Sequence, residues 1–258
     1  MAGIGSYLTL LVLGVTPVAA QQQAPTPIDT DRPDVTDGTH TLAPGRVQIE
    51  TGYTYQQARG TDAGYTRSLP EALVRIGIWS RVELRIGENY LVQRAAGPSA
   101  TSISGFDDVY LGTKVSLTEA HGAVPALSFE AKANLPTGSE GISAHRWLPG
   151  AAILFGWETA GPWSAGIELF ATRTASDQAQ GVASLSVQYQ AVPSVQFYGE
   201  YFTVQSLTGG AGSAGAHYAN SGVLVLLSNN VQVDARAGVG LNQDADRYFV
   251  GFGFAVRR

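Results

Sequence analysis

From residue 46 to residue 257 the chain breaks into segments of about ten residues in which bulky apolar side chains keep one parity and small or charged ones keep the other. In the last segment Tyr248, Val250, Phe252, Phe254 and Val256 alternate with Phe249, Gly251, Gly253 and Ala255. Successive side chains of a strand point to opposite faces, so each segment reads as a strand with one bulky apolar face. Val109, Leu111, Thr113, Val115 and Leu117 oppose Asp108, Tyr110, Gly112, Lys114 and Ser116 in the same way. Val231, Val233, Ala235 and Val239 likewise oppose Gln232, Asp234 and Arg236.

The segments are 46–57, 70–79, 81–93, 107–118, 124–135, 148–158, 163–173, 182–191, 194–206, 217–227, 231–241 and 247–257. Each is close to the 9 to 11 residues a tilted strand needs to cross a bilayer, and about twelve is an even number, as in single-chain bacterial barrels. Connections alternate between tight (Ser80, Gly122, Gly161, Pro193, Asn229) and longer (around Thr61, Gly97, Gly138, Asp177 and Gly210). Short periplasmic turns and longer outside loops show this asymmetry, although the last outside loop, Asn242 to Asp246, is short. The expected fold is all-β: a transmembrane, antiparallel, up-and-down barrel formed by residues 46–258.

Charges inside the strands collect on one parity: Glu50, Glu71, Arg75, Glu83, Arg85, Asp108, Lys114, Glu130, Lys132, Glu168, Glu200, Asp234 and Arg236. A charge on the lipid side at mid-bilayer costs up to a few kcal/mol, so this parity is expected to line the lumen. Glu88 has the opposite parity, near the outside end of its strand. Segments 148–158 and 217–227 are apolar on both parities and do not reveal their inner face. A soluble sandwich also has period two, but the loop asymmetry and the aromatics near strand ends (Tyr90, Trp157, Trp163, Tyr248) weigh against it.

Other classes are excluded by composition. A mean hydropathy of +0.02 does not suit a helical membrane protein. A net charge of -5 leaves no basic stripe for nucleic acid, and the absence of cysteine removes thiolate metal sites. Residues 1–20 contain an apolar run, Tyr7 to Val15, and then Val18 and Ala20 before polar Gln21. They read as a signal peptide cut after Ala20, though no Lys or Arg precedes the run, and imply export to the outer membrane of a Gram-negative bacterium. The alternating aromatic strand at the C-terminus suits the barrel assembly machinery, except that Arg257 and Arg258 stand where such signals usually end in Phe.

Several stretches resemble a known family. Thr30-Asp31-Arg32-Pro33-Asp34, Gly45 to Tyr53, Asp107-Asp108-Val109-Tyr110-Leu111-Gly112-Thr113-Lys114 and Asn134-Leu135-Pro136-Thr137-Gly138 are similar to segments of the outer-membrane proteins named for the meta-pathway of phenol degradation. The resemblance runs from about Asp29 to Arg258 and implies an outer-membrane barrel and, more loosely, uptake of aromatic or other hydrophobic compounds.

The lead, residues 21–45, is the remaining candidate element. Asp31, Arg32 and Asp34 suggest a plug or cap over the periplasmic mouth, with Arg32 paired to a lumen carboxylate such as Glu50; a flexible tail is the alternative. Its aspartates do not have calcium-loop spacing. Catalysis finds no support: His217 and Ser221 share a face but lie roughly 13 Å apart along a strand at ~3.3 Å per residue. The expected role is cofactor-free, passive passage of small solutes through a lumen surrounded by outer-membrane lipid, not an enzyme. A structural or adhesive barrel working through its outside loops is the alternative, and a lipid-modifying enzyme a more distant one.

Overall fold

The computed structural model describes residues 26–60, 63–97, 100–208 and 215–258. The leader, its cut after Ala20, and the loop positions Thr61 and Gly210 lie outside these residues. The strands are β1 (Val47–Gln57), β2 (Tyr65–Trp79), β3 (Val82–Arg94), β4 (Ser102–Phe106), β5 (Tyr110–Thr118), β6 (Ala126–Asn134) and β7 (Leu148–Glu158), then β8 (Trp163–Arg173), β9 (Ala179–Val192), β10 (Val195–Ser206), β11 (Ala216–Ser228), β12 (Val231–Gly240) and β13 (Tyr248–Arg257).

Every pairing is antiparallel, and β13 pairs with β1 and β2 with β3, so one sheet closes on itself, with the short β4 paired on one side. Strands β4 and β5 pair with the outer and inner halves of β3 and form a single crossing, interrupted at 107–109. The barrel therefore has twelve crossings among the described residues. The expected segment 107–118 is corrected here: strand begins at Tyr110, and the part of that crossing nearer the outside is Ser102–Phe106.

The two parities separate as physics requires. Glu50, Arg75, Glu83, Arg85, Lys114, Glu130, Glu168, Glu200 and Asp234 are buried. Ile49, Leu111, Phe129, Leu169, Leu185, Phe197, Val250 and Phe252 stand exposed on the outer face, with Phe252 61 % exposed. A belt of this kind around the whole circumference is far more apolar surface than a water-facing monomer leaves open, and only hydrocarbon covers it. Aromatic groups mark its two margins: Trp163 packs on Tyr189 (centroids 4.7 Å) at the periplasmic end, and Tyr55 on Tyr65 and Tyr248 (5.7 and 6.1 Å) at the outside end.

Register resolves the two strands that parity could not. Leu154 lies opposite Glu168 and Ser128, which are both inward, so Ala152 and Leu154 point inward and Ile153 outward. In β11, Leu224 and Leu226 face Asp234 and Gln232 and are inward too. Glu88 pairs with Ala72 on the outward face.

Candidate functional site: a lumen filled by the lead segment

Residues 28–42, part of the lead before β1, run inside the barrel. Such a segment has no neighbouring strand to bond its backbone, yet its N–H and C=O groups are removed from bulk water and need partners. The inward charges supply them. Glu50 accepts from the Asp31 N–H (3.1 Å), Glu200 from those of Val35 and Thr36 (2.9 and 2.8 Å), Glu168 from Asp37 (2.9 Å) and Glu83 from Leu42 (3.0 Å). In the other direction Arg75 donates to the carbonyls of Asp29 and His40, Lys114 to Gly38, Ser128 to Thr39 and Arg236 to Pro33. The lumen wall acts as a template that takes the lead in place of a thirteenth crossing.

Side-chain charges tie the same contact. The Asp31 carboxylate lies 3.3 Å from Arg75 and 2.9 Å from Lys114, and it accepts from Arg85. Arg75 is also paired with Glu83 (2.9 Å) and Glu50 (3.1 Å), and Arg85 with Glu83 and Asp37 (both 3.0 Å) and Glu130 (3.3 Å). Buried ions survive only when paired, and here the pairing is incomplete without the lead's Asp31. Lys132 sits 3.3 Å from Glu130 and 4.2 Å from the Phe170 ring centroid.

Two expectations are corrected. Arg32 does not pair with Glu50: its Nη1 donates to Glu71 (2.7 Å) and its Nη2 lies 3.5 Å from Asp234. The guanidinium rests on Gly52 and Gly253, a cross-strand pair of β1 and β13, where a methyl on either residue would overlap it. Asp108 is not on a lumen strand. It sits in the β4–β5 interruption and accepts from the Thr137, Gly138 and Ala144 N–H groups (3.1, 2.9 and 2.9 Å) and the Ser143 hydroxyl (2.6 Å), fastening the outside loop 135–147 to the wall. Asp34 accepts from Ser186 (2.8 Å).

Above the lead, Phe202, Tyr218 and Phe249 pack with Ala245 of the last outside loop, and Val35 packs against them from the lead. Phe202 and Tyr218 stack at 4.6 Å. An outer cavity of about 510 Å3 touches Gln56, Thr66, Gln93, Ile103 and Asp246, and a periplasmic one of about 170 Å3 lies against the lead; they share no lining residue. No grouping of three or more potential metal ligands occurs among the described residues. His217 bonds Tyr201, and the Ser221 hydroxyl donates to the Tyr198 carbonyl.

Residues 30–257 match the protein family described as "Putative MetA-pathway of phenol degradation". The chain belongs to this family. Among solved structures, an outer membrane channel from Pseudomonas putida F1 is similar over 87 % of this chain and all of its own, with TM-score 0.67 at 14 % identity. The NanC porin (TM-score 0.53, 8 % identity, 81 % of this chain and 98 % of its own) shares the fold. So does the translocator domain of the autotransporter NalP from Neisseria meningitidis (TM-score 0.53, 14 % identity, 85 % and 90 %). These likenesses establish the family member as an outer-membrane-type barrel. No protein with a curated function matches.

Proposed function

We propose that this family member is a passive outer-membrane channel for small solutes, closed at rest by its own lead. The observation that carries the reading is that the lumen below the Phe202–Tyr218–Phe249 cluster is filled by the chain's own lead, held on wall charges by hydrogen bonds and ion pairs alone. Twelve crossings give an interior between the small barrels that side chains fill and the wide open porins. The expected plug role of Asp31, Arg32 and Asp34 is supported by their contacts with Arg75, Lys114, Glu71 and Ser186. When the lead leaves, Arg75, Arg85, Lys114, Glu130 and Arg236 line the vacated path and bias which ions and polar solutes pass. The family description points to aromatic compounds as cargo. Export by the leader 1–20 and insertion of β13 by the barrel assembly machinery complete the reading.

A closed structural or adhesive barrel is the second reading, and the filled lumen favours it. Planar-bilayer conductance and uptake of phenol by proteoliposomes separate the two. The natural chain should conduct rarely and in short openings, and Asp31→Asn should open more often. A variant with a loosened lead that passes neither ions nor phenol overturns the channel reading.

A further inference from the structure

We infer that the outward face of β1 to β4, at the outside end of the barrel, is a docking surface for lipid A, the phosphorylated glycolipid of a Gram-negative outer leaflet, with Arg67 and Arg94 receiving a phosphate. The inference needs the barrel to sit in the outer membrane but does not need it to conduct.

Register builds the patch. Tyr53 packs on the outward Phe252, so Tyr55 of the same strand also faces outward, and it lies opposite Arg67 of β2. Tyr65, two residues from Arg67, lies opposite Arg94, the last residue of β3, at the rim of the outer cavity. Two residues along a strand restore the face, so Arg67 and Arg94 share the outer one on adjacent strands, with Cα atoms roughly 7–8 Å apart on a diagonal. The row of Tyr65 and Arg94 continues through Gln57 to Tyr248. Tyr248 is four residues outward of Phe252, or about 13 Å at ~3.3 Å per residue. The apolar band of such a barrel is about 25 Å tall, so this row stands at its edge, where an arginine reaches the headgroups with its stem still in hydrocarbon.

Both guanidinium groups are left open to a ligand. The Arg67 guanidinium carbon lies 4.8 Å from the Tyr65 ring centroid and 5.6 Å from that of Tyr55. Stacking holds the group by its face and uses none of its five N–H donors. Among the described residues no carboxylate or other acceptor pairs with Arg67 or Arg94. The only outward carboxylate in the described part of β1 to β4 is Glu88, six residues from Arg94 along β3, or about 20 Å. Elsewhere at the outside end Arg146 and Arg173 share Asp177 (3.3 and 3.0 Å), so those cations are already neutralised. Two unpaired guanidinium groups one diagonal apart are a seat for a phosphate, which accepts several charge-assisted hydrogen bonds at once. Ser102 and Ser104 of β4 are exposed on the same face, opposite Arg94 and Val92, and offer hydroxyls to a sugar. Deeper on the same face Phe106, 47 % exposed, packs edge-on against Tyr90 and gives acyl chains an apolar bed. Phosphate, sugar and acyl chain stacked in that order along the membrane normal are the plan of a phosphorylated glycolipid.

Native mass spectrometry of the purified full-length barrel in detergent, titrated separately with lipid A, with lipid A stripped of its phosphates and with phosphatidylglycerol, tests this. The natural chain should bind lipid A more tightly than either of the others. Arg67→Gln combined with Arg94→Gln should weaken lipid A about ten- to thirtyfold. Arg173→Gln, which removes an arginine that is already paired, should leave it unchanged. Heat-dependent gel mobility shows that each variant keeps its barrel. Equal binding of the dephosphorylated lipid, equal or tighter binding of phosphatidylglycerol, an unchanged affinity in the double variant, or an equal loss in Arg173→Gln overturns the inference. Since none of these readouts is a current, a failure of the channel reading leaves this test standing.

Discussion

Single residues show why charge patterns misread their own targets. Parity placed Asp108 on the lumen because Asp-Val-Tyr-Leu continues the alternation through the interruption, and nothing local marks the break. In the structure its carboxylate gathers four donors of the loop 135–147. All four are donors, and they bond the charged form of the carboxylate. Asp108→Ala strands those donors, and in hydrogen exchange the local opening of Gly138 and Ala144 should become easier by about 1–3 kcal/mol; equal protection in the variant would refute the latch. Arg257 is a second instance. It donates to the carbonyls of Thr26 (2.6 Å), Pro27 (3.2 Å) and Asn229 (3.1 Å), pinning residues 26 and 27 to the β11–β12 turn.

Among the elements, the strands were readable in their bounds, and the lead only in its suggested role. Segments 148–158 and 163–173 coincide with β7 and β8; the second carries the alternation, whereas the first is a continuous apolar run delimited by its flanking turns. Strands β2 and β9 extend further toward the outside than expected, since polar residues such as Arg67 and Gln180 lie beyond the apolar belt and break the pattern. The lead has no period at all. Its partners are single wall charges, so the sequence suggested a plug at Asp31, Arg32 and Asp34 tied to a lumen carboxylate, but not which wall residue each side chain meets. Removing one charge from a buried cluster costs about 3–5 kcal/mol. Asp31→Asn should thus expose the amides of 31–42 to exchange and lengthen openings in bilayers, with heat-dependent mobility unchanged. Gly253→Val should do the same by another route, because it displaces the Arg32 guanidinium from its bed against Gly52. If both variants keep the natural chain's exchange and currents, the lead is not held as described.

For the whole molecule the governing fact is that polarity is inverted relative to a water-soluble protein: ions inside, Phe252, Val250 and Leu169 outside. The outer face then has a depth scale that a soluble barrel lacks. Phe252 pairs with Tyr53 near the middle of β1 and β13, whereas Tyr248 lies at their outside end in the aromatic cluster with Tyr55. An arginine costs about 2–4 kcal/mol at the bilayer midplane and about 0–1 near the interface. In folding titrations into lipid vesicles, Phe252→Arg should therefore lose about 2–4 kcal/mol and Tyr248→Arg less than about 1. In detergent micelles, which wrap a barrel with less fixed depth, the gap between the two should shrink. Equal losses at both positions would mean that the belt does not sit in hydrocarbon with β13 crossing it, and the assignment of inside and outside on which the lumen depends would fail with it.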